Sequence, residues 1–265
     1  MSAPVRPLAL AVDDPCARRA ALERLRASGD ELDAALVDTV VDCLAVPVKS
    51  VQRLAADLLS RLPTARRAPA VARLTAALAT GDVHARWGAA YALGRLDVAE
   101  PAMITPLVDA LGGWDGDRRW AAAAALVRCA RVRRDLVIPA LVAAADDADD
   151  TRRTMALYAL RDAAPAHAAT RAAALRGLED AAVGVRFAAL AALVRIEPAA
   201  TEACPRVLAL ARTDANGGVR RAALCALGNV GRGVSAAVDA IAAAEASDDP
   251  LWRRAAALAR RRLAG

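Results

Sequence analysis

An eight-residue motif recurs along the chain at a nearly constant spacing. It begins at Arg186 with R-F-A-A-L-A-A-L and returns in recognisable form at Arg86, Arg119 and Arg220, and successive copies start 33 or 34 residues apart. A fixed period of this length indicates stacked repeats, each of which is one supersecondary unit. With the first residue of each copy as an anchor at position 0, the eight anchors are Arg18, Gln52, Arg86, Arg119, Arg153, Arg186, Arg220 and Arg253.

The residues around each anchor predict a helix that starts just before it. Asp or Asn stands at position −4 in six of the eight copies, and Pro follows at once in two of them, at Pro15 and Pro250. Such side chains cap a helix because they accept from its free backbone N–H groups, and Pro is tolerated at the first helical position. The ends of this helix, called helix B, are predicted near Gly94, Pro198, Gly228 or Gly231.

Apolar segments between successive B helices predict a second helix, called helix A, in each repeat. Each repeat is then a helical hairpin, and the chain as a whole is expected to be all-α. The segments that carry this prediction most clearly are Ile104–Leu111, Val137–Ala144, Val207–Ala211 and Ala236–Ala244.

Helix B has one apolar stripe, at positions +3, +6, +7 and +10. In the third repeat these positions are Ala89, Ala92, Leu93 and Leu96. Residues spaced in this way lie on one face of an amphipathic helix, so this stripe is predicted to face the core. The opposite face is carried by positions +1, +5 and +8. Positions +1 and +5 are neighbours because side chains four residues apart meet on a helix.

The repeat resembles the HEAT-repeat family, especially the short HEAT-like repeats of bilin lyases. The resemblance rests on a cap, a small gap, a hydrophobe, Arg and x-A-A-x-A-L, as in Asn216 to Leu227, and it covers residues 14–263. It implies a right-handed α-solenoid of about eight helical hairpins in a single domain over residues 1–265. Residues 1–30 and 247–265 are expected to be atypical capping repeats, since Arg24 and Arg260 stand where apolar residues are expected.

In such solenoids the B helices line the concave side, so positions +1 and +5 are expected to project into a groove. The chain has only four Trp, two Tyr and one Phe, and five of these seven fall in the two columns, within the four central repeats. They are predicted to form one contiguous aromatic floor. Contiguous exposed apolar patches mark contact sites, and Trp, Tyr and Arg are favoured where partners bind. The predicted partner-binding set is Trp87, Tyr91, Trp120, Tyr158 and Phe187, flanked by Arg95, Arg128, Arg161 and Arg195.

A structural role for the same aromatic residues is the alternative, in which they pack between neighbouring B helices and stabilise the curvature. Two further Trp residues lie outside the columns. Trp114, in a Gly-rich turn, is expected to cover a gap between repeats, and Trp252 is expected to close the C-terminal end. The anchor Arg and its upstream Asp are interpreted as a ladder that links neighbouring turns, as the resemblance implies, because a catalytic pair would not recur in every repeat.

Composition limits the compartment and the partners. The net charge of +6 permits contact with acidic partners or nucleic acid without requiring it, and Lys49 is the only Lys among 36 basic residues. Five scattered cysteines without a CxxC pair indicate reduced thiols, most of them packed as small hydrophobes. The apolar stretch Leu8–Val12 is too short for a signal sequence, and no membrane span is expected. A cytoplasmic monomer is therefore predicted.

Motifs for catalysis or cofactor binding are weak. His84 and His167 are the only histidines and have no Cys at ligand spacing, so neither a zinc site nor another cofactor is predicted. The Gly-rich turns lack the Lys of a phosphate loop. Acid–base chemistry would need a carboxylate on the groove side, and the candidates there are Glu23, Asp57 and Asp162. Asp162 is expected to pair with Arg161 or Arg195 instead.

These patterns favour a non-catalytic module that holds a protein or peptide on an aromatic, Arg-flanked surface. Nucleic-acid binding is the alternative, because the Arg-flanked aromatics partly resemble the HEAT-like alkylpurine DNA glycosylases, in which base excision occurs on a concave face. Base stacking and Arg–phosphate contacts would supply the affinity. A flat aromatic small molecule is a third candidate ligand, implied only by the likeness to bilin-lyase repeats.

Overall fold

A computed structural model describes residues 14–29 and 31–264. The apolar stretch Leu8–Val12, the first residues of the predicted N-terminal cap and Gly265 lie outside the described residues. Within the described ranges the chain is all-helical and contains no strand. The fifteen α-helices there are α1 (Pro15–Ser28), α2 (Ala34–Asp42), α3 (Lys49–Ser60), α4 (Thr64–Thr80), α5 (Val83–Arg95), α6 (Ile104–Leu111), α7 (Gly116–Val132), α8 (Arg134–Ala144), α9 (Asp150–Ala163), α10 (Ala168–Gly177), α11 (Val183–Leu193), α12 (Cys204–Thr213), α13 (Gly217–Val230), α14 (Ser235–Glu245) and α15 (Pro250–Ala264).

Every predicted anchor is the fourth residue of an odd-numbered helix, so the odd-numbered helices are the predicted B helices. The capping prediction is confirmed at all six positions. For example, the Asp82 carboxylate accepts from the backbone N–H groups of His84 and Ala85 at 2.9 and 2.8 Å. The side chains that cap in this way are Asp14, Asp82, Asp115, Asp149, Asn216 and Asp249.

The predicted A segments are also helical, as α6, α8, α12 and α14. Two B helices end near the predicted residues, α5 at Arg95 and α13 at Val230, but Gly94 and Gly228 do not themselves stop them. Gly94 lies inside α5, and a Cβ added to it would meet Ala125 Cβ at 3.1 Å. Gly228 lies inside α13, where an added Cβ would come within 2.4 Å of the Ala259 carbonyl oxygen. Glycine at these positions permits close helix packing, and α13 ends at Val230, just before Gly231.

The chain divides into two compact units. Unit 1 comprises residues 1–110 and 124–137, and unit 2 comprises residues 111–123 and 138–265. In unit 1, α1 contacts α3, α3 contacts α5, and α2 contacts α4. In unit 2, α9, α11, α13 and α15 contact one another in succession, while α10, α12 and α14 each contact the odd-numbered helix that follows. The single domain predicted over residues 1–265 stays a prediction.

The predicted core stripe is confirmed in both units. Positions +3, +6 and +7 of the third and sixth repeats have no exposed surface, and position +10 is almost fully buried. The residues concerned are Ala89, Ala92, Leu93, Leu96, Ala189, Ala192, Leu193 and Ile196. Ala at half of these positions lets neighbouring helix backbones approach closely and favours the helix itself.

The cysteines pack as predicted for small hydrophobes in three of five cases. Cys43, Cys129 and Cys204 are buried, Cys225 is half-buried and Cys16 is exposed, and none of them forms a disulfide with another. Burial raises the pKa of the Cys43 and Cys129 thiols to about 11, because the thiolate loses its hydration there. None of the described helices is long and apolar enough to cross a membrane.

The anchor arginines close the loop that precedes their own helix. Arg153 Nη1 donates to the carbonyl oxygen of Asp147, six residues earlier, at 2.8 Å. Arg119, Arg186, Arg220 and Arg253 make the same bond to position −6, at 2.6–2.8 Å. The recurring Arg therefore satisfies a loop carbonyl that the helices leave without a partner, and its role is structural in these five repeats.

Two anchors also pair with the next repeat, but not with the carboxylate that was predicted. Arg186 binds Asp214 through Nε and Nη2 at 2.7 and 3.0 Å, and Arg153 binds Asp180 in the same way at 2.8 and 2.9 Å. Both acceptors stand at position −6 of the following repeat. The Asp or Asn at position −4 instead caps the first turn of its own helix. The ladder exists, with its carboxylates two residues upstream of the predicted ones.

Candidate functional site

The predicted aromatic residues form one ring pair in each unit. In unit 1, Trp87 and Tyr91 of α5 stack with their ring centroids 5.7 Å apart and their planes inclined by 16°. Trp87 is only 5% exposed, which contradicts the expectation that it projects into a groove. Trp87 therefore packs as a structural residue that supports the half-buried Tyr91.

The basic edge of unit 1 is partly neutralised. Asp57 accepts from Arg95 Nη2 and from Arg61 Nη2, both at 2.9 Å, so one carboxylate holds two guanidinium groups. Arg95 is half-buried, and its Nε is buried without a hydrogen-bond partner. Arg128 is half-buried and forms no hydrogen bond or ion pair with the described residues. Of the predicted cations in unit 1, Arg128 alone is thus available to a ligand group.

In unit 2, the aromatic rings of Trp120 and Tyr158 form a contact between α7 and α9. Their ring centroids lie 5.4 Å apart with the planes tilted by 35°, which joins position +1 of α7 to position +5 of α9. Arg161 lies over the Tyr158 ring, with Cζ 5.0 Å from the centroid, within cation–π range. Burial raises the pKa of the Tyr158 phenol, although the Arg161 charge acts in the opposite direction. Tyr158 is therefore held by contacts with two neighbouring side chains.

Trp120 and Phe187 are the exposed aromatic members of this set. Trp120 is 52% exposed and Phe187 is 41% exposed, whereas large apolar side chains in the helices are usually buried. Both stand at position +1 of their repeats, the column predicted to face outward. Arg195, at position +9, is exposed, and its side chain has no hydrogen bond or ion pair among residues 14–29 and 31–264. Trp120 and Phe187 are therefore exposed at position +1, whereas Trp87 is buried at the same position.

Arg221 and Arg254 continue the same column and were left out of the predicted set. They occupy position +1 on α13 and α15, helices that contact each other. Arg221 is half-buried and Arg254 is exposed, and neither side chain has a hydrogen bond or ion pair within the described part of the chain. The sequence signal that identifies them is position +1, which they share with Trp120 and Phe187. We call Trp120, Tyr158, Phe187, Arg195, Arg221 and Arg254 the aromatic–arginine surface of unit 2.

Each carboxylate considered for acid–base chemistry is bound to arginine. Glu23 accepts from Arg19 at 2.9 Å, Asp57 binds two arginines, and Asp162 accepts from Arg161 Nε and Nη2 at 2.9 and 2.8 Å. The prediction that Asp162 pairs with Arg161 is confirmed. In the ranges that the structure describes, no cluster of three or more His, Cys, Asp and Glu side chains could hold a metal ion.

Trp114 stands apart from both aromatic pairs. It lies in the turn before α7 and is 95% exposed, so the expectation that it covers a gap between repeats is wrong. Gly112, Gly113 and Gly116 surround it and provide no side-chain surface against which an indole could pack. Trp252 is half-buried at the start of α15.

Comparison with known proteins supports the fold. No family model and no curated protein matches the chain. The chain is similar to the X-ray structure of YibA from Escherichia coli, with a TM-score of 0.63 and 15% identity over 96% of this chain and 91% of that one. It is also similar to importin beta, with a TM-score of 0.62 and 15% identity over 97% of this chain and 42% of that one. An engineered protein matches with a TM-score of 0.53 and 21% identity over 97% of this chain and 77% of that one.

These identities are too low to carry over a function, and the likeness concerns the fold alone. YibA and importin beta are HEAT-type repeat proteins. The chain accordingly has an all-helical repeat fold similar to that of HEAT proteins.

Proposed function

We propose that the chain is a non-catalytic binding module that holds a protein or peptide partner on the face formed by positions +1, +5 and +9 of its odd-numbered helices. In this proposal the hairpins are about eight HEAT-type repeats stacked as a right-handed α-solenoid, with this face on the concave side. The unbroken 33–34-residue register of the anchors supports it, together with the contacts between successive odd-numbered helices within each unit. A solenoid of this kind offers a long surface without a dedicated pocket.

The exposure of Trp120 and Phe187 is the observation that carries the proposal. In a chain with only seven aromatic residues, Trp120 and Phe187 are 52% and 41% exposed at the same helix position, +1, which also holds Arg221 and Arg254; the side chains of these two arginines have no partner among the described residues. Exposed aromatic side chains next to Arg are the residues that contribute most to protein interfaces. In unit 1 the same columns contribute Tyr91 and Arg128, with Trp87 and Arg95 as supporting residues. The predictions of a cytoplasmic monomer without a cofactor stay predictions.

The double substitution Trp120→Ala with Phe187→Ala is expected to remove partner binding while the protein stays folded. The loss in affinity should be at least about 100-fold, because truncation of an aromatic hot spot costs about 2 kcal/mol or more. Binding is measured by affinity capture from cells of the source organism followed by quantitative mass spectrometry. Thermal unfolding by circular dichroism checks the fold, and the midpoint should change little because both side chains are largely exposed.

Trp114→Ala is the matched control, since it removes an even more exposed Trp from outside the proposed surface. It should leave the captured proteins unchanged. If the double variant captures the same proteins in the same amounts as the wild type, the proposed function is wrong. If the double variant loses substantial thermal stability, Trp120 and Phe187 are structural residues, as the alternative interpretation of the sequence holds.

A further inference from the structure

The aromatic–arginine surface of unit 2 changes in character along its length. Its aromatic members, Trp120, Tyr158 and Phe187, come from α7, α9 and α11. Of its arginines, Arg195 lies just after the end of α11, and Arg221 and Arg254 lie in α13 and α15. The helices that carry them contact one another in succession from α9 to α15. Bonds between the columns confirm this adjacency: Arg262 Nη1 donates to the Cys225 carbonyl at 3.3 Å, which joins position +9 of α15 to position +5 of α13.

Charge on this surface is almost entirely positive. Arg195, Arg221 and Arg254 have no carboxylate partner within the described residues, although many other arginines of unit 2 pair with Asp or Glu. Positions +1, +5 and +9 of α9, α11, α13 and α15 contain one acid, Asp162, and Arg161 already binds both of its oxygens. An unpaired guanidinium binds a carboxylate well, with two parallel hydrogen bonds when the geometry allows.

We propose that this surface binds an acidic peptide segment in an extended conformation, with large apolar side chains of the segment against Trp120 and Phe187 and its carboxylates on Arg221 and Arg254. This inference rests on the proposed function and specifies the partner. Packed helices lie roughly 8–10 Å apart, so equivalent positions on α13 and α15 are separated by about that distance. Residues three apart in an extended, polyproline II-type chain lie on the same face about 9 Å apart, which matches carboxylates at every third position.

Peptide fits this surface better than nucleic acid. A base stacks on an aromatic face that is free on at least one side over the area of the base. The Tyr158 ring already contacts Trp120 at 5.4 Å and Arg161 at 5.0 Å between centres. The remaining aromatic surface, on Trp120 and Phe187, lies on α7 and α11, with α9 between them in the order of repeats. Such separated apolar contacts suit side chains on a peptide rather than successive stacked bases.

Selection from a phage-displayed library of random 12-residue peptides tests the proposal. The full-length wild-type protein is the bait, and each selected peptide is then synthesised and its Kd measured by fluorescence anisotropy. We expect the selected sequences to be enriched in Asp and Glu together with an apolar residue. Arg221→Glu with Arg254→Glu should weaken their binding at least about tenfold, because it replaces attraction at two sites with like-charge repulsion.

Arg206→Glu with Arg212→Glu is the matched control, since it makes the same change in net charge on α12, away from the surface. It should change the Kd less than about twofold, because neither side chain belongs to the aromatic–arginine surface and charges on exposed side chains are partly screened at physiological salt. Circular dichroism confirms that both double variants are folded. Selection of neutral or basic peptides, or selection of no peptide, overturns the proposal. So does equal binding of the selected peptides by the wild type and the Arg221/Arg254 variant.

A labelled 20-nucleotide single strand and its duplex are measured with the same proteins. Binding that is tighter than that of the selected peptides and is lost in the Arg221/Arg254 variant would assign the surface to nucleic acid, and so overturns the proposal. The outcomes also separate this inference from the proposed function. Protein capture that depends on Trp120 and Phe187, combined with no preference for acidic peptides, would refute only the acidic partner. Protein capture that is unchanged when Trp120 and Phe187 are replaced would refute the proposal that this surface binds a partner.

Discussion

Replacing Asp214 by Ala is expected to lower the free energy of unfolding by about 3–5 kcal/mol, the range measured when one partner of a buried ion pair is removed. The Asp214 side chain is 3% exposed and that of Arg186 is 13% exposed, so each charge is stabilised mainly by the other and little by water. Asp214 also accepts from the backbone N–H of Asn216 at 2.8 Å, which positions the cap of α13. Urea unfolding of wild type and variant, followed by circular dichroism, measures the difference.

The effect should depend on pH in a defined direction. The hydrogen bonds from Arg186 hold the pKa of the Asp214 carboxyl below its ordinary value of 3.8. A carboxylate whose pKa is lower in the folded state stabilises the protein fully above its unfolded pKa, and this stabilisation is lost as the pH falls through the folded pKa. The difference between Asp214→Ala and wild type should therefore be constant from neutral pH down to about pH 5 and shrink in stronger acid.

Glu179→Ala is the control for this prediction. Glu179 pairs with Arg206 at 2.6 Å, but both side chains are mostly exposed, so its removal should cost less than about 1 kcal/mol. Equal effects of the two substitutions would show that the ladder between repeats contributes no more than an ordinary surface ion pair.

The second large effect is expected at Gly228, where α13 meets α15. Gly228→Ala should lower the free energy of unfolding by about 1–3 kcal/mol, or more if the helices cannot separate, because a core contact becomes overpacked. An added Cβ would lie 2.4 Å from the Ala259 carbonyl oxygen and 2.9 Å from its Cα. These are backbone atoms of a helix, and they can move away only if α15 shifts as a whole. Thermal and urea unfolding measure the change.

Gly217, in the first turn of the same helix, supplies the control. A Cβ there would meet only the guanidinium ends of Arg220 and Arg221, at 3.5 Å, and these side chains can move. Gly217→Ala is therefore expected to change stability by less than about 1 kcal/mol, with a gain from the higher helix propensity of Ala. If Gly228→Ala is as well tolerated as Gly217→Ala, the claim that α13 and α15 pack too closely at Gly228 to admit a side chain is wrong.

Much of the fold could be predicted because repetition averages out local ambiguity. One cap or one apolar stripe is a weak signal, but eight copies at a constant spacing placed every anchor at the fourth residue of a helix. Glycine was misinterpreted for a physical reason. Both a helix end and a close helix contact favour the absence of a side chain, and the sequence near Gly94 or Gly228 does not distinguish them. The acceptors of the ladder at Asp180 and Asp214 could have been found, since Asp recurs at position −6 in three successive repeats.

The candidate site could be predicted only in part. The position of a residue in the repeat predicts which face of the helix carries it, but not how far its side chain is buried. Trp87 and Trp120 share position +1, yet the first is buried and the second is half in water. Which of them reaches solvent depends on how tightly the neighbouring helices pack, and that is a tertiary property. The free arginines depend in the same way on where the carboxylates lie. Arg95 binds Asp57, which stands at position +5 of the preceding repeat. In the repeat before Arg195, position +5 is Tyr158, which has no carboxylate.

Site-specific photocrosslinking tests the central claim most directly, namely that the aromatic–arginine surface of unit 2 is where a partner binds. A benzophenone amino acid is placed at Phe187 in one protein and at Trp114 in another, and both are illuminated in cells of the source organism. We expect covalent adducts with a protein partner from position 187 and none from position 114, with adduct formation reduced by Arg221→Glu together with Arg254→Glu. Adducts from position 114 alone, or none from position 187, would contradict it.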